Sequence, residues 1–441
     1  MAINNSTMQQ FNNRIYLDNA ATTKVDPEVI KVMSKINAET FGNASSLHSF
    51  GTEAKDILSA SRKTIANFLG CNEREVVFTS GGSESDNLAI RGIIANSKLQ
   101  IAKKESKGHK LSAISHKPHI VTTAIEHHAV LHTIEQLEKE GAVEATYVKP
   151  EADGVVDAKK IVEAIKDNTV LVSVVYVNNE TGAVQPIAEI GKALAQLNEE
   201  RSIANATVGS LDSARDDNQN TKYKIRNTIY FHTDAVQAAE WFDLNVNKLG
   251  VDLLTFTAHK FHGPKGIGAL YARQGLKIKP QITGGSHEWG VRAGTENVAS
   301  IAGMAKAIEE VQSYKVTKLQ SIRKLKDKLI DKLFKIPDSR LNGSRDKSSP
   351  AIANISFYNA EGEAILMNLD FLGIAVSTGS ACSSKSLNPS HVLTAMGVVP
   401  EWAHGSVRFS LSRDTTEEEI DKVLEVMPGI IDRLRKMSPF K

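Results

Sequence analysis

Between residues 76 and 275 short apolar runs alternate with segments of a different period. The runs EVVFTS, HIVTTA, VLVSVVYV, TIYFHTDA, DLLTFTAHK and IGALYA are rich in β-branched residues and almost continuously apolar. Between them lie helix-like segments such as 84–97 and 186–198. Strands apolar on both faces that alternate with helices predict a mainly parallel sheet covered by helices on both sides. From 303 to 336 apolar residues recur every three or four positions, ending in KLQSIRKLKDKLIDKLFKI, which predicts one long helix linking two domains. The remainder mixes both periods. The expected fold class is therefore α/β, with a large domain over 27–312 and a small α+β domain made of 1–26 together with 313–441.

Two segments interrupt the alternation. Residues 98–119 are basic and polar, and 199–228 read as a polar loop where such connections need only ~2–6 residues. Both are expected to be surface insertions. The basic one lacks interleaved aromatics, so a solvated face is the better reading than a nucleic-acid site. No internal repeat is evident.

Composition narrows the class further. The 441 residues are 41% hydrophobic and 24% charged, which excludes a disordered chain, a fibre or a coiled-coil rod. A net charge of +2 gives no global attraction to nucleic acid or an anionic membrane. No apolar run approaches the ~18 residues needed to span a bilayer. Two cysteines, Cys71 and Cys382, make neither a disulfide framework nor a zinc cluster and suit a reducing compartment. The polar N-terminus MAINNSTMQQFNN lacks the features of a secretory or transit peptide, so the expected location is the cytoplasm.

The candidate chemistry gathers at strand ends. TIYFHTDA delivers Asp234 and DLLTFTAHK delivers Lys260, and in a parallel α/β sheet ligands bind beyond the carboxyl ends of the strands. A lysine that can form a Schiff base and an acid that can keep a pyridine nitrogen protonated fit pyridoxal 5'-phosphate. Taken as two residues alone they could equally be a surface ion pair. In EVVFTSGGSESDNLAI a strand leads through Gly81, Gly82 and Ser83 into a helix, an arrangement that can cradle phosphate. The plain alternative is a helix cap at Ser83 with Asp86 near capping-box spacing, and on this segment alone it is the stronger. Thr257 and His259 beside Lys260 could complete a phosphate cup. EHHAV follows HIVTTA and brings His127 to the same edge, where an imidazole can stack on a ring and move protons. His128 and His132 are spaced as zinc ligands can be, but no third ligand of suitable spacing accompanies them.

Seven motifs in order then become specific: YLDNAATT (16–23), FTSGGSESDNLAI (78–90), VNNETG (177–182), HTDAVQ (232–237), TAHKFHGPKGIGALY (257–271), RAGTEN (292–297) and STGSACSS (377–384). Together they resemble the cysteine desulfurases of the NifS/IscS type, within the class V aminotransferase family of fold-type I pyridoxal-phosphate enzymes. The resemblance covers Tyr16 to about Pro439, with the two insertions outside it. It implies that Lys260 is the Schiff-base lysine and Asp234 the pyridinium partner. It places Gln237 and Asn179 at the cofactor's phenolic oxygen, with His127 on the ring. It gives the phosphate to Ser83, with Gly82 beside it, and to Thr257 and His259. Thr295 would reach the neighbouring subunit's phosphate, which implies a homodimer, and Arg408 would bind the substrate carboxylate, where the alternative is a structural ion pair.

Cys382 matches the family's nucleophile. A lone cysteine is more often a small buried residue, but Ser, Gly and Ala neighbours predict an exposed loop. The chemistry needs one, because the thiolate must take sulfur as a persulfide and carry it to an acceptor. Cys71 reads as packing. STGSACSS followed by KSLNPSHVL resembles the subgroup with an extended cysteine loop. The departures are Ala44 for proline, TAHK for Ser-Gly-His-Lys, Trp289 where arginine is common, and an end at MSPFK without a scaffold-docking tail. The implied activity is conversion of L-cysteine to L-alanine, with sulfur passed to an iron–sulfur scaffold or a tRNA-thiolation enzyme. The alternatives are a selenocysteine lyase or related lyase or aminotransferase on the same scaffold, and a non-catalytic sulfur-pathway subunit.

Overall fold

The computed structural model describes residues 14–106, 117–212, 228–378 and 389–437, the side chains of 98–106 and 204–212 excepted. The described strands, in chain order, are β1 (Ile15–Tyr16), β2 (Val76–Thr79), β3 (His119–Thr123), β4 (Glu144–Val148), β5 (Thr169–Ser173) and β6 (Tyr230–Asp234). They continue as β7 (Leu253–Thr257), β8 (Gly268–Ala272), β9 (Ser339–Leu341), β10 (Ile352–Phe357), β11 (Ile374–Ala375) and β12 (Ser406–Ser410). A seven-stranded sheet runs in the order β2-β8-β7-β6-β5-β3-β4. Its strands β7, β6, β5, β3 and β4 are parallel, whereas β8 is antiparallel to both neighbours. The expected α/β class with a mainly parallel sheet is thus what forms. All six apolar runs became strands. The seventh, β4, was missed because its sequence EATYV sits at the sheet edge and is half-buried over four of its five residues.

Two helices differ from expectation. Gly82–Ser106 and Ile187–Asp212 both run on into the segments read as insertions, so 199–212 is helical rather than loop. One cause is Arg201, read as part of a solvated polar loop but in fact 4% exposed. Its guanidinium donates to the Lys166 carbonyl at 2.8 Å, which pins the added turns to the body of the protein.

The long helix is Val298–Leu333, capped at Asn297, whose side chain accepts from the Ser300 amide. At 1.5 Å per residue it is about 54 Å long. Its first half packs Ile301, Met304, Ile308 and Val311 into the core beneath the seven-stranded sheet. Its last turns put Ile322, Leu329 and Ile330 into a second core with Ile355, Val407 and Phe409 of the antiparallel sheet β12-β10-β9. Each such side chain, fully buried, contributes roughly 1.5–3 kcal/mol. Lys326 on this helix is fully buried, and its Nζ donates to Ser348 Oγ and the Ser349 carbonyl, both at 2.9 Å. Ser349 in turn donates to the Gly182 carbonyl at 2.8 Å, so the helix is tied to the loop after β5.

A second buried pair supports the edge of the large sheet. Arg62 and Glu288 are joined by two bonds of 2.7 and 2.8 Å, and Glu288 Oε2 also accepts from the Phe78 amide at 2.9 Å. The guanidinium lies between the rings of Phe78 and Trp289, 4.4 and 4.5 Å from their centroids. Trp289 therefore covers a buried arginine. Glu288 and Trp289 both hold positive φ, 45° and 54°, a conformation that costs of order 1–3 kcal/mol per residue and persists only where the surroundings enforce it. Glu288→Gln breaks the pair and leaves Arg62 buried and uncompensated. The expected loss is about 3–5 kcal/mol of unfolding free energy, read as a lower midpoint in chemical denaturation.

Candidate active site

The site is built where β6 and β7 end. Asp234 closes β6, is 4% exposed, and accepts from the Val236 amide at 2.9 Å. Lys260 follows β7 in the short turn Ala258–Lys260. Its Nζ donates to the carbonyls of Ala20 and Ala21 at 2.6 and 2.9 Å, and Gln237 Nε2 donates to the same Ala20 carbonyl at 2.7 Å. Those carbonyls belong to the segment YLDNAATT. Leu17 anchors this segment in the second core, and Asn19 Nδ2 donates to the Ser410 carbonyl at 2.9 Å. At its other end the Thr23 amide donates to the His259 carbonyl, also at 2.9 Å. Arg408, 3% exposed, pairs with Asp18 of the same segment at 2.8 Å and donates to the Asn179 carbonyl at 2.8 Å, while its Nε is buried without a partner.

These side chains face one cavity of about 270 Å³. Lys260, Asp234, His127, Gln237, Asn179, Gly82, Ser83, Thr257, His259 and Arg408 all line it. Thr295 does not. It is exposed, beside a separate depression with Ser80 and Gly266. Cys382 lies outside the described residues.

The glycine turn is packed tightly against its neighbours in the sheet. A Cβ on Gly82 would stand 2.9 Å from Val236 Cγ2, and one on Gly268 would stand 2.8 Å from the Gly81 backbone. The capping-box alternative does not form. Helix Gly82–Ser106 already includes Ser83, and it is Glu84 that reaches back, accepting from the Ser80 amide at 2.7 Å. Ser83 is thereby left facing the cavity, and Asp86 lies buried in the cavity floor. Thr257 Oγ1 donates to the Ile267 carbonyl at 2.9 Å, so its hydroxyl must turn before it can donate to an anion. The rings of His128 and His132 stack face to face at 4.5 Å.

Burial sets the charges. The Asp234 carboxyl is pushed up to about 6 by burial, against the opposing pull of the Val236 amide and Lys260. His127 is lowered to about 4 by burial and then by the charge of Lys260. His259 is lowered to about 4 by burial, Lys260 and Lys265. Both imidazoles are therefore neutral at neutral pH. Residues that sequence reasoning gave no part in the site are Asp18, the Ala20 and Ala21 carbonyls, Asp86 (read only as a capping partner), Glu180 and His391. Glu180 lines the cavity and accepts from Ser390 at 2.5 Å, and His391 lines it while contacting the Glu126 carbonyl at 3.0 Å. All but His391 stood in the seven motifs, and His391 stood in the segment KSLNPSHVL, which was the available signal.

A lysine and a buried aspartate set at adjacent carboxyl ends of a parallel sheet, facing a pocket with an arginine, define an α/β enzyme site. The chain belongs to the aminotransferase class-V family, whose model matches residues 15–200 and 214–423. A cysteine desulfurase IscS of Methanosarcina thermophila is 43% identical over 443 residues, covering 100% of this chain and 98% of that one. A solved NifS-like protein superposes with a TM-score of 0.79 at 32% identity, over 95% of this chain and 100% of that one. SspA in complex with cysteine has a TM-score of 0.71 at 31% identity, over 91% and 100%.

The neutral state of His127 is directly measurable. Its depressed value means that the folded protein resists protonation there, so this contribution to stability is kept above the unfolded value and lost as pH falls toward 4. Ring resonances followed by NMR are expected to titrate near 4 and not near the ordinary 6.5.

Proposed function

We propose that the protein is a homodimeric, pyridoxal 5'-phosphate-dependent cysteine desulfurase, converting L-cysteine to L-alanine with the sulfur taken as a persulfide on Cys382. The observation that carries the reading is the convergence of Lys260, Asp234 and Arg408 on one cavity. The similarity to a cysteine desulfurase IscS over the whole chain supports it, as does the likeness to SspA in complex with cysteine.

The residues present fit the cofactor. The close-packed glycine turn with Ser83 at a helix N-terminus suits a phosphate, and a buried carboxylate suits a pyridinium. When bound, pyridoxal phosphate supplies an aldehyde for amines and a ring that accepts carbanion electrons. Lys260 would hold the aldehyde end, and Asp234 would keep the ring nitrogen protonated. Ser83, His259 and a rotated Thr257 would hold the phosphate. His127, neutral and half-buried, can accept a proton from the substrate amine. Arg408 would take the substrate carboxylate, its unpartnered Nε offering a second donor beside Asp18. As the substrate's C–S bond breaks, the Cys382 thiolate forms an S–S bond with the departing sulfur.

The homodimer is supported by an unpartnered apolar side. Phe41 and Phe50 pack at a tilt with ring centroids 5.4 Å apart while 74% and 49% exposed, and Leu47 near them is fully exposed. Ala44 and Trp289 border one depression on this side, and a second copy of the chain would cover it. Thr295, outside its own cavity, is then available to the neighbour's. The sulfur acceptor is a second protein, an iron–sulfur scaffold or a tRNA-thiolation enzyme. A cytoplasmic location is supported by the two-cysteine composition, and among the described residues no helix is long and apolar enough to cross a membrane.

Cys382→Ala is expected to keep the cofactor's absorbance and to lose cysteine-dependent sulfide and alanine formation by about a hundredfold or more. Turnover at the wild-type rate overturns the mechanism, and turnover of selenocysteine alone moves the assignment to a selenocysteine lyase. Arg408→Lys removes a planar two-point donor and is expected to raise KM for cysteine about tenfold with the absorbance retained. Cofactor affinity is expected to fall as pH drops through about 6, where Asp234 takes a proton and can no longer pair with a pyridinium, measured by absorbance titration between pH 5 and 8.

A further inference from the structure

Asp86 is an acid without an obvious task. It lies on helix Gly82–Ser106, is 1% exposed, and borders the cavity floor. Its donor oxygen, one from Asp234 and a ring nitrogen of His127 all lie within 4.8 Å of one another. Two carboxylates this close in a water-excluded site cannot both ionise cheaply, so a proton must reside on one of them. The surroundings decide which. Asp234 has the Val236 amide and the Lys260 ammonium to stabilise its charge. Asp86 has neither. Its Oδ1 is buried with no hydrogen-bond partner, and His232 Nε2 stands 3.5 Å away.

His232 gives no help. It is fully buried on β6, engaged with Ser173 Oγ at 2.8 Å and Thr255 Oγ1 at 3.1 Å, and burial lowers it to about 3, so it is neutral. The other groups facing Asp86 are Glu126, His127 and the hydroxyl of Thr255. Glu126 is fully buried, has an unpartnered Oε2 and is pushed up to about 8 by burial. For Asp86 itself, burial and then the charge of Asp234 push the carboxyl well above its ordinary range, opposed by the Thr255 hydroxyl.

We propose that Asp86 is a positioning residue that stands in the cavity floor as an uncharged carboxylic acid, leaving Asp234 as the single anion presented to the ring nitrogen. This rests on the reading of the cavity as a pyridoxal-phosphate site. Were Asp86 ionised too, the floor would carry surplus negative charge, and Asp234 would be driven to take the proton that the pyridine should hold. A neutral acid keeps the pairing one to one.

The test uses the full-length protein, freed of cofactor and then reloaded, as wild type and Asp86→Asn. An amide copies the shape of a neutral acid and cannot ionise. A carboxyl raised in the folded state contributes stability that is complete below the unfolded value and lost as pH rises through the folded value. The melting temperature of Asp86→Asn minus that of wild type, taken without cofactor, is therefore expected to grow by a few degrees from pH 5 to pH 8. Glu126 occurs in both proteins, so its own titration largely cancels; the melting slope reports the proton held between Asp86 and Asp234, and the cofactor measurement decides which of the two carries it. The dissociation constant for pyridoxal phosphate is expected to stay within about twofold of wild type. A difference that is flat or shrinks with pH, or cofactor binding weakened more than about tenfold, means that Asp86 is an anion and overturns the proposal.

If Asp86→Asn does not fold, wild type carries the test. Infrared spectra with 13C-labelled aspartate at pH 7.5 should show the carbonyl band of one protonated aspartic acid, and its absence is equally fatal. A wild type that binds no pyridoxal phosphate removes the cofactor reading, while the melting slope still shows whether Asp86 and Asp234 hold a proton between them, and its absence overturns the neutral acid.

Discussion

The site depends on a strap of eight residues, Tyr16 to Thr23, held against both sheets at once. Asp18 grips Arg408 on β12, the Ala20 and Ala21 carbonyls take Lys260 after β7, and Thr23 is bonded to the His259 carbonyl. Neither sheet alone could set the distance between the lysine and the arginine. The strap does so because Leu17 is fully buried in the second core and Asn19 is tied to Ser410. Packing in one core therefore fixes geometry at the edge of another. The long helix Val298–Leu333 and the buried Lys326 make the same connection from the opposite side.

The floor of the cavity shows how burial can replace charge as a design element. His127, His232 and His259 are all kept neutral chiefly by desolvation, and Asp234 is raised by it. In a dry floor the state of each group follows from which neighbours can stabilise an ion, and only Asp234 has both an amide and a lysine at hand. The result is a set of polar groups that are individually costly to bury and nearly free of net charge.

Much of this was legible in the sequence, for definable reasons. Strands buried on both faces write themselves as continuous apolar runs, so β2, β3, β5, β6, β7 and β8 could be read directly. Lys260 and Asp234 followed from their places at the ends of two of those strands. What could not be read depended on partners distant in sequence. Edge strand β4 lacks a continuous apolar signature. The extra turns of helix Ile187–Asp212 rest on Arg201 finding carbonyls some thirty residues away. Asp86 had the spacing of a helix cap, and only the presence of Glu84 in that role reveals that it is free to lie beneath the cavity. Glu180 and His391 gained their places through the packing of Ser390 against the loop after β5.

The two carbonyls that receive Lys260 are main-chain atoms, and this has a consequence for how the protein can change. No substitution at Ala20 or Ala21 deletes a carbonyl, so the lysine's anchorage survives drift in the identity of those residues, within the space allowed. Gain or loss of one residue between Leu17 and Thr23, by contrast, would slide the strap and carry both acceptors away together. The strap is thus tolerant of spelling and intolerant of length, and tinkering with it by insertion or deletion is the sort of change its lineage could least survive.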